Sequence, residues 1–437
     1  MHAEQARRRE ALRCGFGLAA VALVSGFYAT RALAAADDPI SGIDNRDAIE
    51  KAVAPGLGEQ AATSDHIYFL VGDQYTYDDN VFRLPAGADA AALVAPGASR
   101  EDHINAETAE LDAQRTYGRQ VFTLDALAAD NRYARNTELN YVSTRDKLEW
   151  AWELSDLLLG QLGTTFSRTL ASFGNTTNYS RNVFDATTTY GTGRYQIGPH
   201  WAVFGGVFNT NTTLENASSK GNDNDGKTVD MGTEYAFDPN DSIGFEYRYA
   251  DTNFSHSLDP NFSDYREDTG RVLFKYAFSE RTQLDASAGY EKRSYTVPEN
   301  RDFAGDIWRV TVQWLPTEKT KLLVDAWRRL AAYESAELAY FVNTGASIAP
   351  TWSPTEKLDL SVDGSYHSEK YIGSGVSTLV VFQSRHDTVN TEHANVAYSP
   401  VRFFTLTLTC GLERRSSDFT QFNYHDRLLR ANGTFKF

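Results

Sequence analysis

Strict alternation of apolar and polar residues recurs in short segments along this chain. Residues 404–413 (FTLTLTCGLE) and 243–250 (IGFEYRYA) place apolar side chains on one face of an extended chain and polar or small ones on the other. Residues 308–314 and 358–363 repeat the pattern. Because successive side chains of a strand point to opposite faces, this period of two predicts half-buried β-strands rather than helices. A tilted strand of roughly ten residues is long enough to cross a membrane.

Candidate tight turns between these strands recur about every forty residues. They lie near residues 115–117, 155–156, 198–199, 238–240, 279–281, 316–318, 354–356 and 399–400. Each interval holds a strand, a longer polar loop and a returning strand, which predicts an all-β fold: a transmembrane antiparallel up-and-down β-barrel of about 18 strands, with short periplasmic turns and long extracellular loops. Sixteen strands is the alternative, because residues 103–114 and 144–147 disturb the alternation.

The last residues of the chain continue the alternation to Phe437. Leu429, Ala431, Gly433, Phe435 and Phe437 share one face, and the residues between them, from Arg430 to Lys436, are polar. An apolar-out, polar-in final strand is typical of an outer-membrane barrel, whose last strand must close the sheet. We therefore expect Phe437 to act as an assembly signal. The alternative for this segment alone is a C-terminal strand of a soluble sandwich.

The first 36 residues have the organisation of a Sec-type export signal. Arginines up to Arg13 precede an apolar stretch at 15–28, and residues 32–34 offer an A-x-A cleavage site. We predict a signal peptide at 1–36, a short periplasmic lead-in at 37–63 and an outer-membrane barrel at 64–437. Removing the signal takes away five arginines and two glutamates, so the net charge changes from −16 to −19. That balance opposes nucleic-acid binding, and Cys410, the one remaining cysteine, permits no intrachain disulfide.

Tryptophan positions give an independent indication of the topology. Trp150, Trp152, Trp201, Trp314 and Trp352, five of the seven tryptophans, lie within about six residues of a predicted tight turn. Amphipathic rings at that level predict a periplasmic aromatic girdle. The alternative for any one of them is a platform on which a sugar ring stacks. Trp327 lies well inside its strand and suits that second role better.

Catalytic and metal-binding motifs are absent from the sequence. It contains no G-x-S-x-G, no H-E-x-x-H and no Cys/His cluster with metal-ligand spacing. Arg385-His386-Asp387 places an imidazole beside an acid, but adjacent residues of a strand point to opposite faces. We predict that the protein is not an enzyme and needs no cofactor or metal. A Ser/His/Asp arrangement assembled across strands is the alternative that sequence leaves open.

The polar faces of the predicted strands give the candidate lumen. The residues expected to line it are Glu246, Arg248, Arg271, Lys275, Arg309, Gln313, Asp359, Asp363, Thr407 and Arg430. One interpretation is a solvated wall whose charges balance. The other is a pathway for a hydrated, hydroxyl-rich substrate, whose water these side chains replace with their own hydrogen bonds.

Several segments resemble EpsL-type outer-membrane proteins, which are encoded in exopolysaccharide biosynthesis operons. They are residues 77–85 (YDDNVFRLP), 301–305 (RDFAG), 326–333 (AWRRLAAY) and 349–358 (APTWSPTEKL). The similarity extends over roughly residues 65–437. It implies an outer-membrane barrel in exopolysaccharide production or export, and it supplies no catalytic residues. Taken by itself, Asp78-Asp79-Asn80 is a turn-former at the end of a strand, with a sugar or cation contact as the alternative.

Two classes of function follow. The first is a channel or secretion-associated component for an exopolysaccharide, and the second is a general diffusion porin or receptor barrel with no polymer role. The expected partners are outer-membrane lipid and the barrel assembly machinery. The resemblance adds periplasmic polysaccharide-export proteins and a polysaccharide.

Overall fold

A computed structural model describes most of the predicted barrel. The described residues are 65–216, 220–221, 223–254, 264–296, 302–332, 340–372, 376–377, 380–381 and 384–437. The predicted signal peptide at 1–36 and the lead-in at 37–63 lie outside these residues.

Within the described residues, eighteen long strands form one sheet. They are β1 His66–Asp78, β2 Asp102–Tyr117, β3 Gln120–Tyr133, β4 Tyr141–Ser155, β5 Leu158–Leu170, β6 Val183–Ile197, β7 Trp201–Leu214, β8 Asn224–Asp238, β9 Asp241–Asn253, β10 Tyr265–Ser279, β11 Thr282–Tyr295, β12 Phe303–Thr317, β13 Thr320–Ala332, β14 Tyr340–Thr355, β15 Leu358–Ile372, β16 His386–Val401, β17 Phe404–Ser417 and β18 Tyr424–Lys436. Four-residue helix α1 (Ala90–Leu93) and short 3₁₀ turns lie in the loops. None of the helices in this part of the chain is long and apolar enough to cross a membrane.

Every strand pairs antiparallel with its neighbours in sequence, and the sheet closes on itself. β1 pairs with β18 from Leu70↔Lys436 to Asp78↔Leu428. Beyond that ladder, the backbone N–H of Phe437 donates to the Phe69 carbonyl at 2.9 Å. The predicted closed barrel is therefore confirmed, with 18 strands rather than 16. Residues 103–114 and 144–147 are regular parts of β2 and β4.

The tight turns at one end of the barrel lie up to three residues from their predicted positions. Pro199 and Pro239 lie in observed turns, as predicted. Three other predicted turns also contain a proline: Pro316, Pro354 and Pro400. In the structure each proline lies in a register shift of the ladder, and its strand continues to the next residue. Proline has no N–H to donate, so it is tolerated at such irregularities. We call this end of the barrel the short-turn end and the opposite end the loop end.

The two faces of the sheet differ as the alternation predicts. On β17, Leu406 and Leu408 are 37% and 46% exposed, whereas Thr407 and Thr409 point inward and are buried. Trp150, Trp201, Trp314 and Trp352 all lie exposed on the outer face, close to the short turns. The outer face is thus an apolar band with an aromatic girdle at its short-turn edge, which is the surface that lipid requires.

Strands at the loop end are longer than their apolar pattern indicates. The polar composition of residues 209–226 predicts a loop, but β7 runs to Leu214 and β8 starts at Asn224. The added ladder is polar: the hydroxyls of Thr188 and Thr210 lie 3.1 Å apart on neighbouring strands. Threonine and asparagine carry no apolar signal, although threonine favours strands.

Candidate functional site

A large cavity occupies the lumen beneath loops that fold inward from the loop end. Its volume is about 1840 Å³, and its walls come from most of the barrel strands. Val81 and Arg83 of the loop between β1 and β2, and residues 172–175 of the loop between β5 and β6, also line it. Acidic and basic side chains occur on its wall in nearly equal number.

Eight of the ten predicted lumen residues line this cavity. They are Glu246, Arg248, Arg271, Lys275, Arg309, Asp363, Thr407 and Arg430. Gln313 and Asp359 lie on the same faces of their strands, nearer the short turns. Whether any of these residues contacts a solute stays a prediction.

Charges on the cavity wall are paired across neighbouring strands. Arg271 lies 3.0 Å from Glu246, and Arg194 pairs with Glu234. Arg309 Nε and Nη2 donate to the two carboxylate oxygens of Asp325, at 3.1 and 3.0 Å. Arg309 is nevertheless 51% exposed, so its charge is accessible from the lumen while held in place. Such a wall can hydrogen-bond hydrated solutes without presenting a large field of one sign.

Trp327 lies on the cavity wall beside Arg309. Its indole N–H donates to the Asn343 side chain of β14 at 2.6 Å. Its six-membered ring covers Gly345, which is also on β14. A Cβ at Gly345 would lie 2.8 Å from that ring, so the glycine is required for this position of the indole. The sequence placed Trp327 away from the girdle, but Asn343 and Gly345 gave no signal that they hold it.

The segment YDDNVFRLP fixes the first inward loop. Arg83 has a φ of 55° and reaches the carboxylates of Asp78 at 3.0 Å and Asp426 at 3.2 Å. Although burial works against the charged form, these carboxylates and that of Glu413 hold the pKa of Arg83 well above its usual value. The fully buried Asn80 donates to the carbonyls of Leu84 and His425. The turn-forming interpretation of this segment therefore agrees with its geometry.

Apolar residues of the same loop form a small core inside the loop end of the barrel. Phe82 and Leu84 are fully buried and pack with Leu139, Tyr133 and Phe173. These partners come from the end of β3 and from the loops that follow β3 and β5. The sequence did not predict this core, because its members are separated by up to 92 residues and follow no common period.

The loop between β5 and β6 crosses the lumen to the opposite wall. Asn175 contacts Arg415 of β17 and Tyr371 of β15. Arg415 also donates to the carbonyl of Gly174 at 2.6 Å. Because β5 and β17 lie far apart around the circumference, this contact places residues 171–182 across the loop end of the cavity.

A buried ionic cluster on β15, β16 and β17 anchors that crossing. Arg415 binds Glu369 at 2.9 Å, and Arg385 binds Asp387; all four side chains are at most 4% exposed. The Arg385 guanidinium also lies over the ring of Tyr371, 4.3 Å from its centroid. Buried charges require such partners, because an unpaired charge in this position is strongly destabilising.

Histidines do not form a metal site in the described part of the chain. His393 Nδ1 lies 2.9 Å from Asp363 in the lumen, and His386 faces outward to bond the Ser368 hydroxyl. No group of three or more His, Cys, Asp or Glu side chains among the described residues is arranged to hold a metal ion.

Comparisons with known proteins give one family match over most of the barrel. The family described as "Putative beta-barrel porin 2" matches residues 72–437. No curated protein matches the chain. The resemblance to EpsL-type proteins stays a prediction.

Several solved structures are similar to the chain at low identity. OccAB3 of Acinetobacter baumannii is 9% identical, with 86% of this chain and 100% of that chain covered and a TM-score of 0.46. OpdK of Pseudomonas aeruginosa with vanillate is 11% identical, covering 85% and 98%, with a TM-score of 0.44. A BenF-like porin from Pseudomonas fluorescens Pf-5 is 12% identical, covering 85% and 98%, with a TM-score of 0.44.

Proposed function

The chain belongs to the family "Putative beta-barrel porin 2", and from this premise we propose that it is an outer-membrane diffusion channel for small hydrophilic solutes. The observation that carries the proposal is the lumen cavity of about 1840 Å³, with its wall of paired charges. An aqueous interior is expected of a barrel with this many strands. The proposal adopts the second of the two functions considered from sequence.

The inward loops support a small solute over a polymer. A polysaccharide in transit occupies the whole length of its channel, so it needs an unobstructed lumen. Here residues 171–182 cross the loop end and are tied to Arg415. The loop after β1 packs its own apolar core there as well. Small solutes can pass beside such loops, whereas a polymer would have to displace them.

The orientation of the barrel is part of the proposal. We place the short turns in the periplasm and the loop end at the cell surface, because short periplasmic turns and longer extracellular loops are general in bacterial barrels. Assembly then involves the barrel assembly machinery and export through the Sec pathway. Phe437 follows the closing strand, and its exposed side chain is the feature that we expect this machinery to recognise.

Exopolysaccharide passage is the second candidate. Its support is the resemblance of residues 77–85 to EpsL-type proteins, together with the structural work those residues perform on the inward loop. In this alternative the loops move aside for the polymer, and periplasmic polysaccharide-export proteins deliver it.

Two measurements test the proposal. Purified barrel in planar bilayers should give stable conductance, and liposomes that contain it should admit monosaccharides faster than larger oligosaccharides. A clean deletion strain should then take up small solutes more slowly and secrete its polymer normally. Lost polymer secretion with unchanged solute uptake would favour the second candidate, and a barrel with no conductance would contradict the diffusion channel.

A further inference from the structure

The sheet divides at the loop end between β12 and β13. The two strands pair from Thr317↔Thr320 up to Trp308↔Arg328, and the ladder stops there. Residues 303–307 continue to pair with β11 on one side, and residues 329–332 with β14 on the other. A cleft of about 230 Å³ lies at this fork.

Polar and basic side chains on the outer face line the cleft. They are Arg328, Thr344, Ser368, Lys370 and His386. Phe303 and Val342 also border the cleft, but both are buried in an apolar cluster. Thr344 pairs directly with Ser368, and Lys370 with His386, so four of these residues form a continuous patch over β14, β15 and β16. Arg328 stands at the fork itself and also borders the lumen cavity.

The patch lies directly above the apolar band. On the same outward faces, toward the short turns, Ile348, Val362 and Tyr366 are 51%, 53% and 54% exposed. A residue that follows such a band on a membrane strand is at the level of the lipid headgroups. The ligand for this patch is therefore a membrane lipid rather than a solute of the lumen.

The donors in the cleft are held in place but have capacity left. Arg328 Nε lies 3.2 Å from both the carbonyl and the carboxylate of Asp306, and Nη1 donates to the Thr344 hydroxyl at 3.3 Å, so the guanidinium is oriented. Its Nη2 has no hydrogen-bond partner among the described residues. Lys370 is exposed and makes no ion pair within that same part of the chain. A guanidinium and an ammonium beside two hydroxyls suit the oxygens of a phosphate group.

We propose that this cleft binds a phosphate group of an outer-leaflet glycolipid, with Arg328 and Lys370 as its cations. The orientation of the barrel comes from the proposed function, but the site acts on the outer wall and does not depend on what the lumen carries. Basic residues at a membrane surface attract anionic headgroups, each contributing a similar amount. The lipid would also supply acceptors at the fork, where the β12–β13 ladder ends.

The experiment measures lipid binding to the purified full barrel in non-ionic detergent. The probes are bisphosphorylated lipid A and the same lipid A after removal of its phosphates. We expect the phosphorylated form to bind more tightly, and Lys370→Gln to weaken its binding about fivefold. Arg328→Gln should weaken it to a similar degree. Because Lys370 is exposed and makes no ion pair in the described chain, its variant tests the site without disturbing the fold.

The matched control is the double variant Lys227→Gln, Arg266→Gln. Both residues are outward-facing cations near the loop end, 71% and 70% exposed, on strands away from the fork. The control should bind phosphorylated lipid A as the native barrel does. Equal binding of both lipid A forms, or equal weakening by the control, would overturn the proposal. Equal binding of phosphatidylglycerol micelles would overturn the assignment to an outer-leaflet lipid. Conductance, recorded on the same samples, tests the channel separately.

Discussion

The two halves of the lumen differ in how far their charged side chains are exposed. At the loop end, Glu369 and Asp387 are fully buried, and the chain fills the barrel as it fills a protein interior. Toward the short turns, Arg309 and Asp363 are about half exposed, at 51% and 46%, although each has a partner. The same kind of ion pair therefore serves two purposes. In the first half it holds loops in place, and in the second it forms a wall that solutes can contact.

This difference predicts different energetic consequences for similar substitutions. Removing one partner of a buried pair leaves an uncompensated charge, which is strongly destabilising. Removing one partner of an exposed pair has little effect on stability. Substitutions in the two halves should accordingly separate stability from selectivity.

The largest effect is expected from Arg415→Gln. Glu369 would lose its guanidinium partner in a buried site, which costs about 3–5 kcal/mol of unfolding free energy. The crossing loop would lose its anchor at Gly174 as well, so single-channel conductance should rise. Urea unfolding in detergent and planar-bilayer recording measure the two effects. The double variant Arg415→Gln, Glu369→Gln should recover part of the stability but not the narrow conductance. Unchanged conductance in both variants would show that the loop is held by other contacts.

Arg83→Gln should have the next largest effect. Three carboxylates, those of Asp78, Glu413 and Asp426, lie within 3.7 Å of the Arg83 guanidinium and would be left facing one another. We expect the free energy of unfolding to fall by about 2–3 kcal/mol. Arg83→Lys keeps the charge and is the matched control, with a smaller loss. Protease cleavage of the loop between β1 and β2 should increase in the glutamine variant. Equal protection of both variants would contradict the anchoring role.

A smaller effect is expected from Gly345→Ala. The new methyl group would meet the Trp327 ring at 2.8 Å and the His367 Cβ at 2.5 Å, so the indole must move. We expect the free energy of unfolding to fall by about 1–2 kcal/mol and the tryptophan emission to shift. Gly364→Ala on the neighbouring strand is the control, because a Cβ there has nothing within 4 Å. An unchanged emission spectrum in Gly345→Ala would mean that Trp327 is not fixed as the structure places it.

The smallest change in stability is expected from Arg309→Gln. Arg309 is 51% exposed, so its pair with Asp325 contributes at most about 1 kcal/mol. Ion selectivity should change nonetheless, because the Asp325 carboxylate would face the lumen without its counter-charge. The reversal potential across a salt gradient should shift toward cation preference. Arg309→Lys should leave it near the native value. A variant with native selectivity would remove Arg309 from the solute path.

The wall half of the barrel could be predicted from the sequence, and the loop half could not. Alternation assigned the inward face of Thr407 and the girdle positions of Trp314 and Trp352, because lipid and water impose a period of two on every strand. The Arg415–Asn175 and Arg83–Asp426 contacts have no such signature. Each contact depends on where a distant strand lies in the closed barrel. The sequence of one chain does not show which distant residues the closure brings together. Three of the proline turns, those with Pro316, Pro354 and Pro400, were displaced for a local reason, since a proline also marks a register shift.

The contacts of the first loop also set an order of events during assembly. Asn80 bonds the carbonyl of His425, 345 residues away, and Arg83 reaches Asp426 on the same strand. Contacts at such separation form late, after the intervening chain is in place. β1 and β18 must therefore pair before the contacts of this loop can form. Until these strands pair, the barrel has an open edge, and the first loop does not yet narrow the lumen. A lumen narrowed by this loop therefore indicates that the barrel has closed.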